Sequence, residues 1–499
     1  MIVVVGAGHN GLVAACYLAR AGRDVLVLEA LDRPGGGART EERIPGYRFD
    51  LHSVAHNIIN MTSIPEELDL AAAGLDYLEM DPFSVAIHAD GRRVRFFRSI
   101  EATVDSIAEL DRAEAKAYRA FMETALPIVR AIVPTVRGER DLTGRARGVL
   151  AALRRQPLTT LRDVLGPYDA LLRRRLPSDL TRGPVAAFAA HAGVGPTTPG
   201  GALFAYWQAA YHLYGQWHAR GGAQGLTDAL VRRLHSLGGQ FRCGARVERI
   251  ETAGGRVTAV VTAGGVRIPT TAVVTAIDPK VALLELLGPP LTGPIADDLA
   301  AARRGNAVQA VIHVATDALP PYPGGRPGDW NGLQSFVDRL DDLSRAWTQA
   351  EAGELPDPPP LYAFTGSAID PALAPSGHHT VYLACPAAPA QLVRGRWDEF
   401  VERCLDEVER HAPGFRSTIQ AVSPWTPDLM QAEGGWPGAH PMHLDIALDQ
   451  LGPFRPTRRL ASHRTPVAGL YLSGAGTSPT GGIAGSPGRL AARALLADR

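Results

Sequence analysis

The first thirty residues place apolar runs on either side of a glycine-rich turn. The segment MIVVVGAGHNGLVAACYLARAGRDVLVLEA opens with a β-branched run that is typical of a buried parallel strand. After three glycines, alanines and leucines recur at helical spacing up to Gly22, and a second apolar run covers residues 25–28. The pattern predicts a strand, a helix that ends at Gly22, and a second strand.

The last thirty-one residues repeat this order with more glycine. Residues 469–499 read GLYLSGAGTSPTGGIAGSPGRLAARALLADR, which is a short strand-like run, a glycine-rich turn and a helical pattern. Glycine inside a helix or strand costs roughly 0.5–1 kcal/mol relative to alanine. We therefore expect these glycines to form a turn where the backbone must pass close to another group.

The chain between these ends predicts a second domain. Residues 91–219 contain helical patterns with proline and glycine breaks. Residues 280–439 combine strand-like runs, AVQAVIHVA and HTVYLACP, with the amphipathic helical segment RWDEFVERCLDEVERHAP. A sheet with covering helices fits both segments.

Composition excludes several classes of protein. The 499 residues suffice for two or three domains, and the formal net charge of zero provides no field that attracts nucleic acid. The four cysteines form no CxxC pair and no metal-ligand spacing, so we predict neither a dithiol redox motif nor a metal site. There is no signal-peptide pattern and no apolar run of the ~20 residues that a membrane helix needs. We expect a cytoplasmic protein.

The N-terminal motif predicts a dinucleotide site. Gly6, Gly8 and Gly11 have GxGxxG spacing after a strand and before a helix, and Glu29 ends the next strand. Gly6 permits the tight turn, Gly8 lets a pyrophosphate approach the backbone, and Gly11 lets the helix pack closely on the strand. The N–H groups at the helix N-terminus attract phosphate, and Glu29 is expected to accept hydrogen bonds from the adenosine ribose.

Three segments resemble the flavin amine oxidase and phytoene desaturase superfamily. The first is LDRPGGGARTEERIPGYRFDLHSVAH, the second is the region around ARVERI, and the third is LYLSGAGTSPTGGIAGSPGRLAAR. The third resembles the terminal signature of the phytoene dehydrogenase branch, although Ala475 replaces the acid that many superfamily members carry there. Beside the N-terminal motif, the resemblance implies FAD contacts at Gly35, Gly36, Arg39, Thr40, Val247, Gly474, Ala475, Gly476, Gly482 and Ile483.

The resemblance also implies the fold class and the domain boundaries. The fold would be α/β, with a Rossmann-like FAD-binding domain of the glutathione reductase type and a discontinuous α+β substrate-binding domain. The FAD-binding domain would comprise residues 1–90, 220–280 and 440–499. The substrate-binding domain would comprise residues 91–219 and 281–439.

The chemistry follows from what accompanies the FAD motifs. With no second GxGxxG and no redox disulfide, electrons would pass from the substrate to FAD and then to oxygen, a quinone or a protein acceptor. This predicts an oxidase or dehydrogenase in which flavin N5 receives a hydride from a C–H bond of a small, apolar substrate. Flavin amine oxidases commonly place a lysine near N5, but Lys116 and Lys280 fall outside the flavin motifs. The candidate bases are His56, His440 and His443, with His52 as a further well-placed histidine.

Two other segments allow alternative interpretations. The aromatic stretch AYWQAAYHLYGQW has helical spacing, which fits core packing or the wall of a substrate pocket. The arginine-rich stretch from Arg145 to Arg175 fits a solvated helix layer, an interfacial membrane helix, or a surface for an acidic carrier protein.

Three functions remain open from the sequence. The first is an FAD-dependent desaturase or dehydrogenase, and the second is an amine (C–N) oxidase or an isomerase that returns the hydride. The third is a binding protein like the Rab GDP-dissociation inhibitors, which share the fold without using flavin. The intact glycine sets argue against this third function.

Overall fold

Parallel strands at both ends of the chain meet in one sheet. The computed structural model describes residues 1–139, 162–392 and 396–498. Its five-stranded parallel sheet has the order Leu470–Leu472, Val273–Thr275, Ile2–Val5, Val25–Leu28, Gln240–Arg242. The sheet therefore joins three distant segments of sequence, as the Rossmann-like prediction requires.

Two helices cover one face of this sheet. The helix His9–Arg20 begins directly after the glycine turn, and Ser486–Ala497 packs across it. They approach closely at Gly488, where an added Cβ would lie 2.2 Å from the carbonyl oxygen of Asn10. The C-terminal helix is thus fixed beside the N-terminal glycine motif.

A larger, mostly antiparallel sheet forms the second layer. Its seven strands have the order Ile419–Trp425, Ala307–Thr316, His379–Pro389, Tyr362–Phe364, Leu333–Ser335, Ser84–Ile87, Arg93–Phe96. The predicted domain boundary at residue 90 lies between the last two strands, which pair with each other. These pairings favour a boundary before Ser84.

Smaller sheets connect these layers. A four-stranded sheet contains Arg267–Pro269, Arg256–Thr262, Val247–Ala253 and Leu287–Gly288. A hairpin joins Thr40–Ile44 with Tyr47–Asp50, and a separate antiparallel pair joins Tyr77–Glu79 with the distant strand Trp217–Ala219. The remaining helices are Asn57–Asn60, Ile64–Glu67, Ile100–Ala108, Arg112–Val136, Tyr168–Arg175, Asp179–His191, Ala202–Tyr206, Gln208–Tyr214, Gln224–Ser236, Pro294–Ala301, Leu340–Glu351, Trp397–His411, Phe415–Thr418 and Pro427–Ala432.

The arginine-rich stretch lies only partly within the described residues. Residues 145–161 fall outside them. Further along, Arg174 and Arg175 each pair with Asp163 at 2.7 Å, and Arg173 pairs with Asp341. These ion pairs agree with a solvated helix layer. No helix in the described parts of the chain has the length and apolar character needed to cross a bilayer.

Candidate active site

The N-terminal glycine loop turns tightly beneath the first helix. Gly6 has a φ of +95°, which favours glycine, and an added Cβ on Gly11 would lie 2.1 Å from the Gly6 carbonyl oxygen. An added Cβ on Gly8 would meet no atom within 4 Å. The loop therefore leaves no space for a side chain at Gly11, whereas the space beside Gly8 is open.

The second glycine pair lies directly against this loop. The Gly35 N–H donates to the Ala7 carbonyl at 3.0 Å, and Gly36, with a φ of +57°, faces the Cα of Gly8. An added Cβ on Gly36 would lie 3.4 Å from that Cα, so the two segments are in backbone contact. The structure thus brings together the two glycine clusters that the sequence predicted to share a ligand.

A cavity of about 220 Å³ opens beside these glycines. Val247, from the four-stranded sheet, lines it as predicted, and so does Glu29. The Glu29 carboxylate accepts the Ala7 N–H at 2.7 Å and the Leu31 N–H at 3.0 Å. A carboxylate retains further lone pairs after two such bonds, so Glu29 can still accept from a ribose hydroxyl. The predicted residues that line this cavity are Gly6, Gly8, Glu29, Gly36, Val247, His443, Gly474 and Ala475.

A second cavity, of about 470 Å³, adjoins the first. His9, Gly37, Pro441 and Ala475 line both cavities, so the two cavities share a wall at these residues. The predicted residues Gly482 and Ile483 line the larger one. The glycine-rich turn near the C-terminus therefore forms the wall where the two cavities meet.

The larger cavity is apolar and carries no formal charge. Helical residues and the loop 441–454 supply most of its walls, and none of the Asp, Glu, Lys and Arg side chains in the described ranges lines it. Its aromatic and larger aliphatic lining comprises Val54, Ile58, Ile132, Val136, Phe188, Leu203, Phe204, Trp207, Tyr211, Ile446, Leu448, Leu451 and Phe454. This lining suits an apolar molecule.

The joined cavities fit FAD on the evidence of unpartnered polar atoms. Both side-chain polar atoms of Asn10, in the first helical turn, are buried without a hydrogen-bond partner, and so is Nε2 of His9. Burying such atoms unpaired is unfavourable, so they indicate a polar ligand. The helix N-terminus beside them favours phosphate.

Arg39 and Thr40, for which the resemblance implied FAD contacts, line neither of the two cavities. Thr40 donates to Asp50 at 2.6 Å and accepts the Gln224 N–H at 3.0 Å, which holds the hairpin that follows the glycine pair. The buried Arg39 guanidinium lies 3.6 Å from Glu41, and burial lowers its pKa. Gly11, Gly35 and Gly476 also lie behind the cavity walls, where they allow close packing.

Two of the three histidines that the sequence offered as bases lie in one turn, where the His443 N–H donates to the His440 carbonyl at 2.8 Å. Of the three, only His443 lines one of the two cavities, the smaller one. His56 is buried elsewhere, with Nδ1 2.9 Å from the Tyr77 hydroxyl, and His440 lies 3.4 Å from Asp445. Burial lowers the pKa of His443 to about 4, so its imidazole is neutral near pH 7.

Other cavity histidines carried weaker sequence signals. His9 stands at a variable position of the glycine motif, between Gly8 and Gly11. His191 is the last residue of its helix and follows an apolar run. Both line the larger cavity together with His52. Burial lowers the pKa of His52 to about 3 and that of His9 and His191 to about 4.

The aromatic stretch divides between core and cavity. Trp207 and Tyr211 line the larger cavity, whereas Tyr206 stacks on Phe121 in the core with ring centroids 5.4 Å apart. Tyr214 and Trp217 do not reach the cavity. The stretch therefore supplies residues both to the core and to the wall of the larger cavity.

Neither lysine reaches the two cavities. Lys116 is exposed on the helix Arg112–Val136, and the Lys280 ammonium donates to the Ala300 carbonyl at 2.9 Å. The lysine that amine oxidases commonly place near the flavin has no counterpart in these cavities.

A sequence model for flavin-containing amine oxidoreductases matches residues 11–496. The chain belongs to this family. It is an FAD-dependent oxidoreductase, as the sequence predicted, and the implied superfamily and Rossmann-like fold class are confirmed. A small-molecule substrate and an electron acceptor follow from the family.

Relatives cover nearly the whole chain. The chain is 30% identical over 543 residues to pyridine nucleotide-disulfide oxidoreductase domain-containing protein 2 of Rattus norvegicus, covering 99% of this chain and 93% of the relative. It is 29% identical over 519 residues to phytoene dehydrogenase of Streptomyces griseus, covering 100% and 94%. The desaturase branch of the predicted family is thus represented among the relatives.

Solved structures share the fold. An oxidoreductase from Methanosarcina mazei matches with a TM-score of 0.67 at 16% identity, covering 99% of both chains. Putrescine oxidase bound to putrescine matches with a TM-score of 0.60 at 16% identity, covering 100% of this chain and 98% of the other. At these identities, the likeness concerns the fold alone.

Proposed function

We propose that this FAD-dependent oxidoreductase removes hydrogen from a C–H bond of an apolar small molecule, as a dehydrogenase or desaturase does. The observation that carries the proposal is the apolar cavity of about 470 Å³ that adjoins the dinucleotide cavity and is lined, among the described residues, by no charged side chain. The relatives named phytoene dehydrogenase and hydroxyneurosporene desaturase support this reaction class.

The chain's residues would bind FAD on one side of the shared wall and the substrate on the other. Gly8, Gly36 and the first helical turn would hold the dinucleotide part of FAD, and the C-terminal glycine turn would contact its flavin end. When bound, FAD supplies a hydride acceptor. The apolar walls would exclude water and orient the substrate against that end of the site.

The lining of the larger cavity disfavours the amine oxidase alternative. A protonated amine would need a carboxylate, and none lines the larger cavity among the described residues. Of the three histidines predicted to be catalytic, only His443 lines one of the two cavities, the dinucleotide one, so a role for it in the reaction stays a prediction.

The electron acceptor is proposed to be external. The four cysteines form no disulfide, and three of them are buried. We therefore retain oxygen, a quinone or a protein as the acceptor. Peripheral contact with a membrane or a carrier protein remains a proposal based on the arginine-rich stretch.

Anaerobic mixing tests the function. The holoprotein is mixed with uncharged apolar substrates and with amines of matched size, and loss of the oxidised flavin absorbance is followed. We expect reduction by an uncharged substrate and not by the amines. Rapid reduction by an amine would contradict the proposal, and substrate conversion without net flavin reduction under these conditions would favour an isomerase.

Two variants sharpen this assay. Ala192→Phe fills part of the larger cavity and should slow reduction at least ten-fold while FAD content stays constant, whereas Ala71→Phe on the surface should have no effect. In the same assay, His443→Asn with full FAD content should be reduced more slowly. An unchanged rate would remove His443 from the reaction.

A further inference from the structure

A small group of polar side chains interrupts the apolar wall of the larger cavity. Its members are His52, His191 and Gln309, all of which line the cavity. They come from three separate elements: the loop after the strand Tyr47–Asp50, the end of the helix Asp179–His191, and the strand Ala307–Thr316. We call these three residues the polar cluster.

Two tyrosines behind the cluster fix the Gln309 amide. The Tyr362 hydroxyl donates to Gln309 Oε1 at 2.5 Å, and Gln309 Nε2 donates to the Tyr382 hydroxyl at 3.0 Å. Tyr382 in turn donates to the backbone carbonyl of His52 at 2.6 Å. Gln309 Nε2 retains a second N–H, and its Oε1 retains a lone pair, so the amide can bind a further partner.

The strand pairing at Gln309 is irregular in the same place. Between the pairs Val308–Ala388 and Ala310–Cys385, one strand advances by two residues and the other by three. The extra residue forms a β-bulge opposite Gln309, and bulges re-aim side chains next to binding sites. The β-bulge thus lies directly opposite Gln309, the polar residue of this strand that lines the cavity.

The two histidines join the same group. The ring of His191 lies 4.9 Å from the ring of Tyr362, the tyrosine that bonds to Gln309. Nε2 of His52 is buried without a hydrogen-bond partner. Because burial lowers both pKa values, each imidazole is neutral and offers one donor and one acceptor.

We propose that the polar cluster binds a neutral oxygen function, a hydroxyl or carbonyl group, carried by an otherwise apolar substrate. The cluster supplies donors and acceptors but no net charge, so it complements such a group and not a carboxylate or an ammonium. A pure hydrocarbon would leave its polar atoms unpaired. This inference rests on the proposed function, because it names the substrate class of the same cavity.

Binding to the oxidised holoprotein tests the proposal without turnover. The probes are decane, 1-decanol, 2-decanone, decanoate and decylamine, which share a ten-carbon chain. Dissociation constants are measured from the perturbation of the flavin spectrum and from the shift in thermal unfolding. We expect 1-decanol and 2-decanone to bind about three- to ten-fold more tightly than decane, as one added hydrogen bond allows, and more tightly than the two ions. Equal binding of decane, or preference for either ion, would overturn the proposal.

Matched variants assign the preference to the cluster. Gln309→Met keeps the length of the side chain but loses the amide, so it should bind 1-decanol three- to ten-fold more weakly and decane as well as before. The control is Gln420→Met, at an exposed glutamine on the neighbouring strand, which should leave both affinities unchanged. If Gln309→Met weakens both ligands equally, the role of the amide is contradicted.

The outcomes separate this inference from the proposed function. A preference for 1-decanol in a protein whose flavin no uncharged substrate reduces would contradict the function and support the cluster. Reduction of the flavin by apolar substrates, in a protein that binds 1-decanol no better than decane, would support the function and contradict the role of the cluster. If Gln309→Met does not fold, the ligand series on the unaltered protein still decides the proposal.

Discussion

At the scale of single residues, Gly8 and Gly11 illustrate two different requirements within one motif. Gly11 faces the carbonyl oxygen of Gly6 and has no space for a methyl group, whereas Gly8 opens onto the dinucleotide cavity. Gly11 therefore serves the packing of helix on strand, and Gly8 serves the approach of a ligand.

These surroundings predict opposite effects of the same substitution. Gly8→Ala should leave the unfolding free energy of the apoprotein unchanged and weaken FAD binding, because the added methyl group enters only the cavity. Gly11→Ala should lower the unfolding free energy by about 1–3 kcal/mol, since it overpacks the helix against the loop. Urea unfolding of the apoprotein and FAD titration measure the two effects. Equal destabilisation of both variants would contradict this division.

The sequence predicted the glycines of the site better than its polar groups. Glycine spacing follows from backbone geometry and can be recognised in the sequence alone, as at Gly6 and Gly35. Gln309 gave only a weak signal, a single polar residue within the apolar run AVQAVIHVA. Its place in the cavity depends on a bulge between strands about seventy residues apart, and local sequence does not contain that pairing.

At the scale of elements, one arginine holds the loop 441–454 against the C-terminal glycine turn. Arg455 is completely buried, and its guanidinium donates to backbone carbonyls at 2.6–3.2 Å. Those carbonyls belong to Met442, Leu444, Asp445, Gln450 and Ala475. Since Ala475 lines both cavities and Met442 lines the larger one, Arg455 fixes the wall between the two cavities.

Removing this guanidinium should loosen both sides of the wall. Arg455→Met leaves several buried carbonyls without donors, so we expect the unfolding free energy to fall by more than about 3 kcal/mol and FAD retention to decrease. Arg455→Lys keeps the charge but offers fewer donors, and its loss should be intermediate. Urea unfolding and the FAD content after gel filtration are the measurements. Full stability of Arg455→Met would contradict the role assigned to this residue.

The predicted elements correspond closely to the observed ones where their pattern is local. The strand predicted over residues 25–28 is Val25–Leu28, and the amphipathic segment after residue 396 is the helix Trp397–His411. The boundary between the domains is harder to predict from sequence. The strand Ser84–Ile87 has the same kind of sequence pattern as neighbouring strands, but it pairs with the distant strand Leu333–Ser335. Sheet membership is decided by contacts distant in the chain, which periodicity does not record.

At the scale of the whole molecule, buried neutral histidines occur in both layers of the structure. Burial lowers the pKa of each of them from 6.5 to about 3 or 4. They are His9, His52, His56, His191, His212, His313 and His443. In the unfolded chain these groups take up protons near pH 6.5, whereas in the folded protein they do so only near pH 3–4. Between these values the unfolded state binds more protons, so stability is lost as the pH falls.

We therefore expect the unfolding free energy to be nearly constant from pH 8 to 7 and to fall steeply below pH 6.5. Each such histidine contributes up to about 1.4 kcal/mol per pH unit in that window. His313→Gln should flatten the fall by about that amount, because His313 is fully buried on the large sheet and bonds to the Asp50 carbonyl at 2.9 Å. Urea unfolding at saturating FAD, at pH 7.5 and 5.5, measures the slope. His235→Gln, at an exposed histidine, serves as the control and should keep the slope of the unaltered protein. A slope that His313→Gln leaves unchanged would mean that acid destabilises the protein through other groups.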